Sequence, residues 1–320
     1  MDNGISEIRI QGRNTAVPAA QICDRTIIVT GTWLKTASVQ DEAFVQGEIV
    51  PNPELAITQL KQWERKPDIF TFSQKITDLS PKFVYHTEWD DFAVIPITTY
   101  EDWFRNRIKK DVKENLRRAK REGVEIRTSV YDDAFVQGIK KLYDETPMRQ
   151  GKRFWHYGKS LDALKELHGT YRERAEYLGA YLGEELIGFI KMVYVDSFTK
   201  TMHVFGSHKH RHKRPTNALI AKAVEICAAR KLSFFIYGEY NFPGKKTNSL
   251  TEFKIRNGFE EMKYPRYFIP LTAKGRLALH LKLHRGLQPH IPAPMTNALL
   301  KVRSAYFRRK FSRDFATSSA

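Results

Sequence analysis

Between Val124 and Thr272 the hydrophobic period switches in a fixed order, and that order restricts the fold more than any other feature of the sequence. VEIRTSV alternates like a half-buried strand, whereas DDAFVQGIKKLYDET and SLDALKELHGTYR repeat at helical spacing. EYLGAYL and ELIGFIKMVYV flank Gly183-Glu184, a hairpin signal. The strand KTMHVFG, the helix PTNALIAKAVEICAARK, the strand SFFIYG, a helix around LTEFKIRNG and the strand YPRYFIPL follow. Helices interleaved with hairpin-linked strands predict an α/β (α+β) domain, with a mixed, mostly antiparallel sheet flanked by helices.

Upstream, RTIIVTGTW, AFVQGEIV, DIFTF and FAVIPI read as strands, with one helix near Pro53 to Trp63, so residues 1–99 form a sheet-rich lobe. From Tyr100 to Glu122, Phe104, Ile108, Val112, Leu116 and Ala119 recur at helical spacing before Gly123, which predicts one long helix. Nine Lys or Arg lie between Arg105 and Arg121 against Asp111 and Glu114. A solvated basic face and a contact surface for a polyanion both fit this pattern. The expected division is 1–99, 100–273 and a basic tail, 274–320.

Hydrophobic residues make up 42% of the 320, enough for a packed core and against disorder. Lys and Arg number 53 against 36 Asp and Glu, a formal charge of +17 that favours RNA, anionic lipid or phosphorylated metabolites without choosing among them. Cys23 and Cys227 are expected to be reduced thiols. No stretch approaches the roughly 18 apolar residues of a membrane span, and MDNGISEIRI has neither a basic nor an apolar leader region, so a cytoplasmic location is expected. From Lys274 onward the chain holds ten Lys or Arg and one acid, Asp314. Within that tail NALLKVRSAYFRRKF predicts a basic amphipathic helix that docks on the protein, lies on anionic lipid at the inner face of the membrane, or helps to hold RNA.

The order of elements resembles the N-acetyltransferase (GNAT) fold, and more narrowly its FemAB-like branch, whose members add amino acids from aminoacyl-tRNA to the peptide of cell-wall precursors. The resemblance spans Tyr100 to Thr272 and is strongest from Pro215 to Leu271. It implies two GNAT-like lobes in tandem, residues 1–99 being a reduced amino-terminal one. It also implies acyl transfer, with aminoacyl-tRNA or acyl-CoA as donor.

In such a reaction an amine attacks an ester or thioester carbonyl, so the site must accept a proton and stabilise an oxyanion, with no need of a metal. Phe253-Lys254 is similar to a FemAB Phe-Lys motif, which implies that Lys254 holds an oxyanion or phosphate while Phe253 shapes the pocket. An amphipathic helix with Lys254 in solvent is the alternative. At the end of SFFIYGEYN, Glu239 is a candidate base, with a surface carboxylate next to a glycine as the alternative; Tyr237 and Tyr240 are candidates for proton donation or substrate contact, and Lys245 and Lys246 sit in a loop within reach of phosphate. Arg211, Lys213 and Arg214 belong to the densest cationic run, His208 to Arg214. Coenzyme-A enzymes of the GNAT fold have a Gly-rich loop here, but this run has no glycine and ends at Pro215, which lacks an N–H. His208, His210 and His212 alternate as ligands on a strand would, yet the surrounding cations oppose a metal ion. Trp33-Leu34-Lys35 loosely matches a family position in which a lysine meets acceptor phosphate. Packing of Trp33 and exposure of Lys35 is the alternative.

The expected function is acyl transfer onto an amine of a phosphate-bearing cell-envelope or glycan precursor. A coenzyme-A-dependent N-acyltransferase acting on an amino sugar and a non-catalytic RNA- or membrane-surface-binding protein remain alternatives.

Overall fold

The computed structural model describes residues 4–10, 13–149, 152–241 and 249–285. The loop holding Lys245 and Lys246 and the amphipathic segment after Asn297 lie outside the described residues.

In chain order the first elements are β1 (Gly4–Ile10), β2 (Arg13–Ile22), β3 (Arg25–Thr30), β4 (Thr36–Val39), α1 (Pro53–Gln62), β5 (Ile69–Ser73) and β6 (His86–Pro96). Next come α2 (Tyr100–Asp102), α3 (Lys110–Arg121), β7 (Val124–Ser129), α4 (Asp133–Tyr143), β8 (Met148–Arg149), β9 (Lys152–Arg153) and α5 (Leu161–His168). The remainder are β10 (Ala175–Leu182), β11 (Glu185–Val195), β12 (Phe198–Gly206), α6 (Pro215–Ala229), β13 (Phe234–Gly238), α7 (Ser249–Arg256), β14 (Glu260–Pro270) and α8 (Ala273–His280). The fold is a mixed, mostly antiparallel α/β arrangement, and every element read between Val124 and Thr272 is present.

The described residues form two compact units, one from residues up to 92 together with 262–285, the other from residues 93–261. The first carries strands in the order β1-β2-β3-β4-β5-β14. YPRYFIPL, read as the last strand of the second domain, pairs antiparallel with β5, Phe268 opposite Thr71, and so belongs to this unit. Its alternate residues Tyr267 and Ile269 join Phe70, Phe72, Ile27 and Val29 beneath Leu60 and Trp63 of the α1 segment. Two readings fail here. AFVQGEIV forms no strand; it opens with a short 3-10 turn at Glu42–Phe44, and Glu42 is spent on an ion pair with Arg266. Trp33 is 61% exposed rather than packed, and Lys274 Nζ lies 5.9 Å from its ring centre.

The second unit, which takes only residues 93–96 of β6, orders its strands β6-β13-β12-β11-β10-β7, all antiparallel except β12 with β13. β11 is buried along nearly its whole length because both faces are covered. One core contains Leu219, Ile220, Ala223, Val224 and Cys227 of α6 against Leu178, Ala180 and Ile190. The other contains Phe135, Ile139, Leu142, Leu164 and Leu167 of α4 and α5 against Tyr177 and Phe189. Burial pushes the Cys227 thiol up to about 12, so it is an inert core group at neutral pH. Gly183 carries the positive φ of 60° that the β10–β11 turn requires.

The single helix expected over Tyr100–Glu122 is broken. After α2 a π-turn spans Trp103–Arg107, Ile108 is extended, and α3 starts two residues later. Tertiary bonds explain the break: Trp103 Nε1 donates to the Asn257 carbonyl at 3.0 Å, and the Lys109 amide donates to the Arg256 carbonyl at 3.0 Å. Those contacts outweigh the local helical pattern.

Candidate active site

The parallel ladder between β12 and β13 covers only Phe198–Lys200 against Phe234–Ile236. Beyond it β12 continues to Gly206 on β11 alone. Where the backbone pairing stops, the Thr201 hydroxyl donates to the Tyr237 carbonyl at 3.0 Å. The strands diverge at this point, and the end of β13 presents Tyr237, Gly238, Glu239 and Tyr240.

Lys254 meets that strand end from α7. It is 1% exposed, its Nζ donates to the Glu239 carbonyl, and it lies 5.2 Å from the Tyr237 ring centre. The solvated alternative for Lys254 is therefore ruled out. Phe253, half-buried, packs toward the same core with its ring 6.3 Å from that of Tyr237. Burial holds the Tyr237 phenol well above its ordinary range, so it stays protonated at neutral pH. Glu239 is exposed and Tyr240 half-buried.

Sequence reasoning missed the side chains that hold α7 in place. Asn257 Nδ2 donates to the Phe253 carbonyl at 2.7 Å, and its Oδ1 accepts from Asn217 Nδ2 at 2.9 Å. Both asparagines are buried, and a buried amide must be hydrogen-bonded to be tolerated, so the pair fixes α7 against the first turn of α6. Gly258 ends α7 at φ 83°, and a Cβ there would meet Arg107 Cβ at 3.1 Å and Trp103 Nε1 at 3.2 Å. In the sequence Asn257-Gly258 marks the end of a helix, but nothing near it points to the partner Asn217.

The cationic run is arranged differently from its reading. Ser207 to His210 form a turn and Arg211–Lys213 a 3-10 turn, so the three histidines do not share a strand face. His210 Nε2 faces Glu185 at 3.3 Å. Lys213 pairs with Glu122 at 3.0 Å, while Arg211 and Arg214 are exposed. The loop also holds an anion of its own. The Glu145 carboxylate accepts from the His208 amide at 2.6 Å, the Lys209 amide at 3.3 Å and the Ser207 hydroxyl at 2.6 Å. Backbone N–H groups that could cradle a phosphate are thus committed to an internal carboxylate.

Lys35 belongs to the first unit, where its Nζ donates to the Arg65 carbonyl at 3.2 Å and its amide to buried Asp68 at 2.9 Å. A cavity of about 490 Å³ beside α4 and α5 is lined by Tyr131, Asp133, Lys165, Thr170 and Arg172, none of which was a candidate.

On α3, Arg117, Lys120 and Arg121 are exposed and Arg118 half-buried. A groove of about 690 Å³ between α3 and α7 is lined by Lys109, Lys110, Arg117 and Arg256, with Asp111, Glu114 and Glu252 among them. If this face binds tRNA, affinity falls with salt at a log–log slope of about −0.7 to −0.9 per neutralised phosphate. Arg117→Ala with Arg118→Ala is expected to shallow that slope by about one to two units in a filter-binding salt titration. An unchanged slope removes α3 from the interface.

The divergent strands, the flanking helices and the order of elements make up a GNAT-like fold. No family model matches the sequence, and a search of curated proteins finds no match. Among solved structures, FemX superposes with a TM-score of 0.55 at 10% identity over 86% of this chain and 90% of its own. L-PGS from Bacillus licheniformis gives 0.54 at 14% identity over 83% and 88%. The C-terminal domain of an Agrobacterium fabrum protein assigned as a lysylphosphatidylglycerol synthetase gives 0.52 at 15% over 82% and 87%. No helix among the described residues is long and apolar enough to cross a membrane.

Proposed function

We propose that this protein transfers an aminoacyl or other acyl group, with aminoacyl-tRNA as the favoured donor, onto an amine of a phosphate-bearing cell-envelope precursor at the inner face of the membrane. The observation that carries the reading is the meeting of buried Lys254, proton-retaining Tyr237 and exposed Glu239 where β12 and β13 diverge. Glu239 accepts the proton of the attacking amine. The Lys254 ammonium, one of whose three donors goes to the Glu239 carbonyl, stabilises charge on the carbonyl oxygen as the new amide bond forms. Tyr237 returns a proton to the leaving oxygen as the ester bond breaks. The names FemX and lysylphosphatidylglycerol synthetase support an envelope acceptor.

Two observations weigh against coenzyme A: the missing glycines between His208 and Pro215 and the Glu145 carboxylate seated on that loop. A ligand at 100 times its Kd stabilises a fold by about 2.7 kcal/mol. Millimolar acetyl-CoA is nevertheless expected to leave the melting temperature almost unchanged. The direct test supplies tRNA charged with a labelled amino acid, or labelled acetyl-CoA, to the protein with a crude envelope-precursor fraction. Label moving from the tRNA into a base-stable product supports the proposal. Transfer from acetyl-CoA with a thermal shift of several degrees replaces it with the N-acyltransferase reading. Tight binding of RNA or anionic vesicles with no turnover of either donor replaces it with the non-catalytic one.

A further inference from the structure

In the first unit, far in sequence from every candidate above, two histidines and a glutamate converge. His86 and Glu88 are alternate residues of β6 and so share one face of the strand. His284 arrives from the 3-10 turn Leu283–Arg285 that follows α8. One ligand atom from each of the three lies within 4.8 Å of the others. Glu88 Oε1 is 2.7 Å from His284 Nε2 and 3.4 Å from His86 Nε2. In a tetrahedral zinc site with bonds of about 2.0–2.1 Å, neighbouring ligand atoms lie roughly 3.3 Å apart. The observed separations bracket that figure, so small side-chain rotations suffice to close around an ion.

The burial pattern also fits a ligand set. His284 keeps only 2% of its side chain accessible, and its Nε2 is the ring nitrogen turned toward the Glu88 carboxylate. The Phe268 ring lies 4.8 Å from the His284 ring and supplies an apolar wall. His86 is half-exposed, which leaves an approach from solvent. One group opposes an ion: Arg285 Nε lies 3.1 Å from both Glu88 oxygens and its Nη2 3.0 Å from Oε1. A carboxylate has about four lone-pair sites, so an ion that takes Oε1 must displace Nη2 and leave Arg285 on Oε2 through Nε, at a cost in affinity.

We propose that His86, Glu88 and His284 form a binding site for a zinc-class divalent cation, with water in the fourth position. Two imidazoles and one carboxylate suit zinc or cobalt better than magnesium or calcium, which prefer all-oxygen shells. The bound ion ties the turn after α8 to β6. Local patterning could not reveal it, because Glu88 and His284 are 196 residues apart.

The test titrates cobalt(II) chloride into the untagged, metal-stripped full chain and follows the visible d–d absorption, then displaces cobalt with zinc. One equivalent of tightly bound cobalt is expected. His86→Ala, at an accessible position, and Glu88→Gln are each expected to weaken binding by more than about tenfold, a loss that even an outer-sphere partner brings. Arg285→Ala is expected to tighten it, because the competing guanidinium is gone. Combined His208→Ala, His210→Ala and His212→Ala substitutions are expected to leave it unchanged. Failure to take up cobalt at micromolar concentration overturns the proposal, as does undiminished uptake by both His86→Ala and Glu88→Gln, or loss of uptake confined to the triple variant.

Discussion

Lys254→Met is expected to lower kcat of acyl transfer by about a hundredfold or more, since a donor aimed at a developing oxyanion is worth about 2.7–4 kcal/mol. KM is expected to hold, because the interaction forms chiefly in the transition state. Methionine is the informative substitution. Alanine is less informative, because a side chain 1% exposed leaves a cavity when truncated, at a cost of about 2–5 kcal/mol for deleting a comparable buried chain. Methionine keeps most of the volume. It removes a buried cation and leaves the Glu239 carbonyl without that donor, two effects of opposite sign that leave a net change within about 2 kcal/mol. Steady-state kinetics and urea unfolding of both variants separate the roles. A methionine variant that turns over at the wild-type rate, with only the alanine variant damaged, makes Lys254 a packing residue and withdraws it from catalysis.

What could be read in advance follows the range of the interactions. The hairpin at Gly183, α4, α5 and the amphipathic α6 were legible because each is specified by a local period and a local stop signal. The proximity of Lys254 to the end of SFFIYG came from the resemblance, and the structure adds that its ammonium is buried against the Glu239 carbonyl. Illegible features depend on partners distant in sequence. Trp103 breaks the helical pattern by reaching Asn257 across 154 residues. Glu145 fills the turn at His208 from 63 residues away. The last strand leaves the unit its neighbours suggest and pairs with Ile69–Ser73. Periodicity fixes which face of an element is buried, but not which element covers it.

Lys191 makes the same point with a buried charge, and it yields a pH prediction. It sits on β11, fully buried, where Nζ donates to the His168 carbonyl at 2.9 Å, the Thr170 carbonyl at 2.5 Å and the Thr170 hydroxyl at 2.8 Å. Burial brings its ammonium down from 10.5 to about 8, partly offset by the charge of Glu173. The folded state therefore releases this proton at lower pH than the unfolded chain. Between about pH 8 and 10.5 the unfolded state binds more protons, so this group makes stability rise with pH across that window. Below pH 8 the penalty for holding the charge is fully present, of order 3 kcal/mol at about 1.36 kcal/mol per pK unit. Tyrosines oppose the trend near its upper end: Tyr143 and Tyr177 are pushed up by burial, so the folded state keeps protons that the unfolded chain loses above about pH 10. The useful quantity is thus the difference between wild type and Lys191→Met, measured by urea unfolding at pH 7.5 and pH 9.5. Wild type is expected to gain about 1–2 kcal/mol relative to the variant over that interval. The variant itself has no buried cation and leaves three oxygens short of a donor, so its absolute stability is set by that loss rather than by titration. A difference that stays flat from pH 7.5 to 9.5 means that the three hydrogen bonds offset the desolvation and Lys191 titrates like a surface lysine.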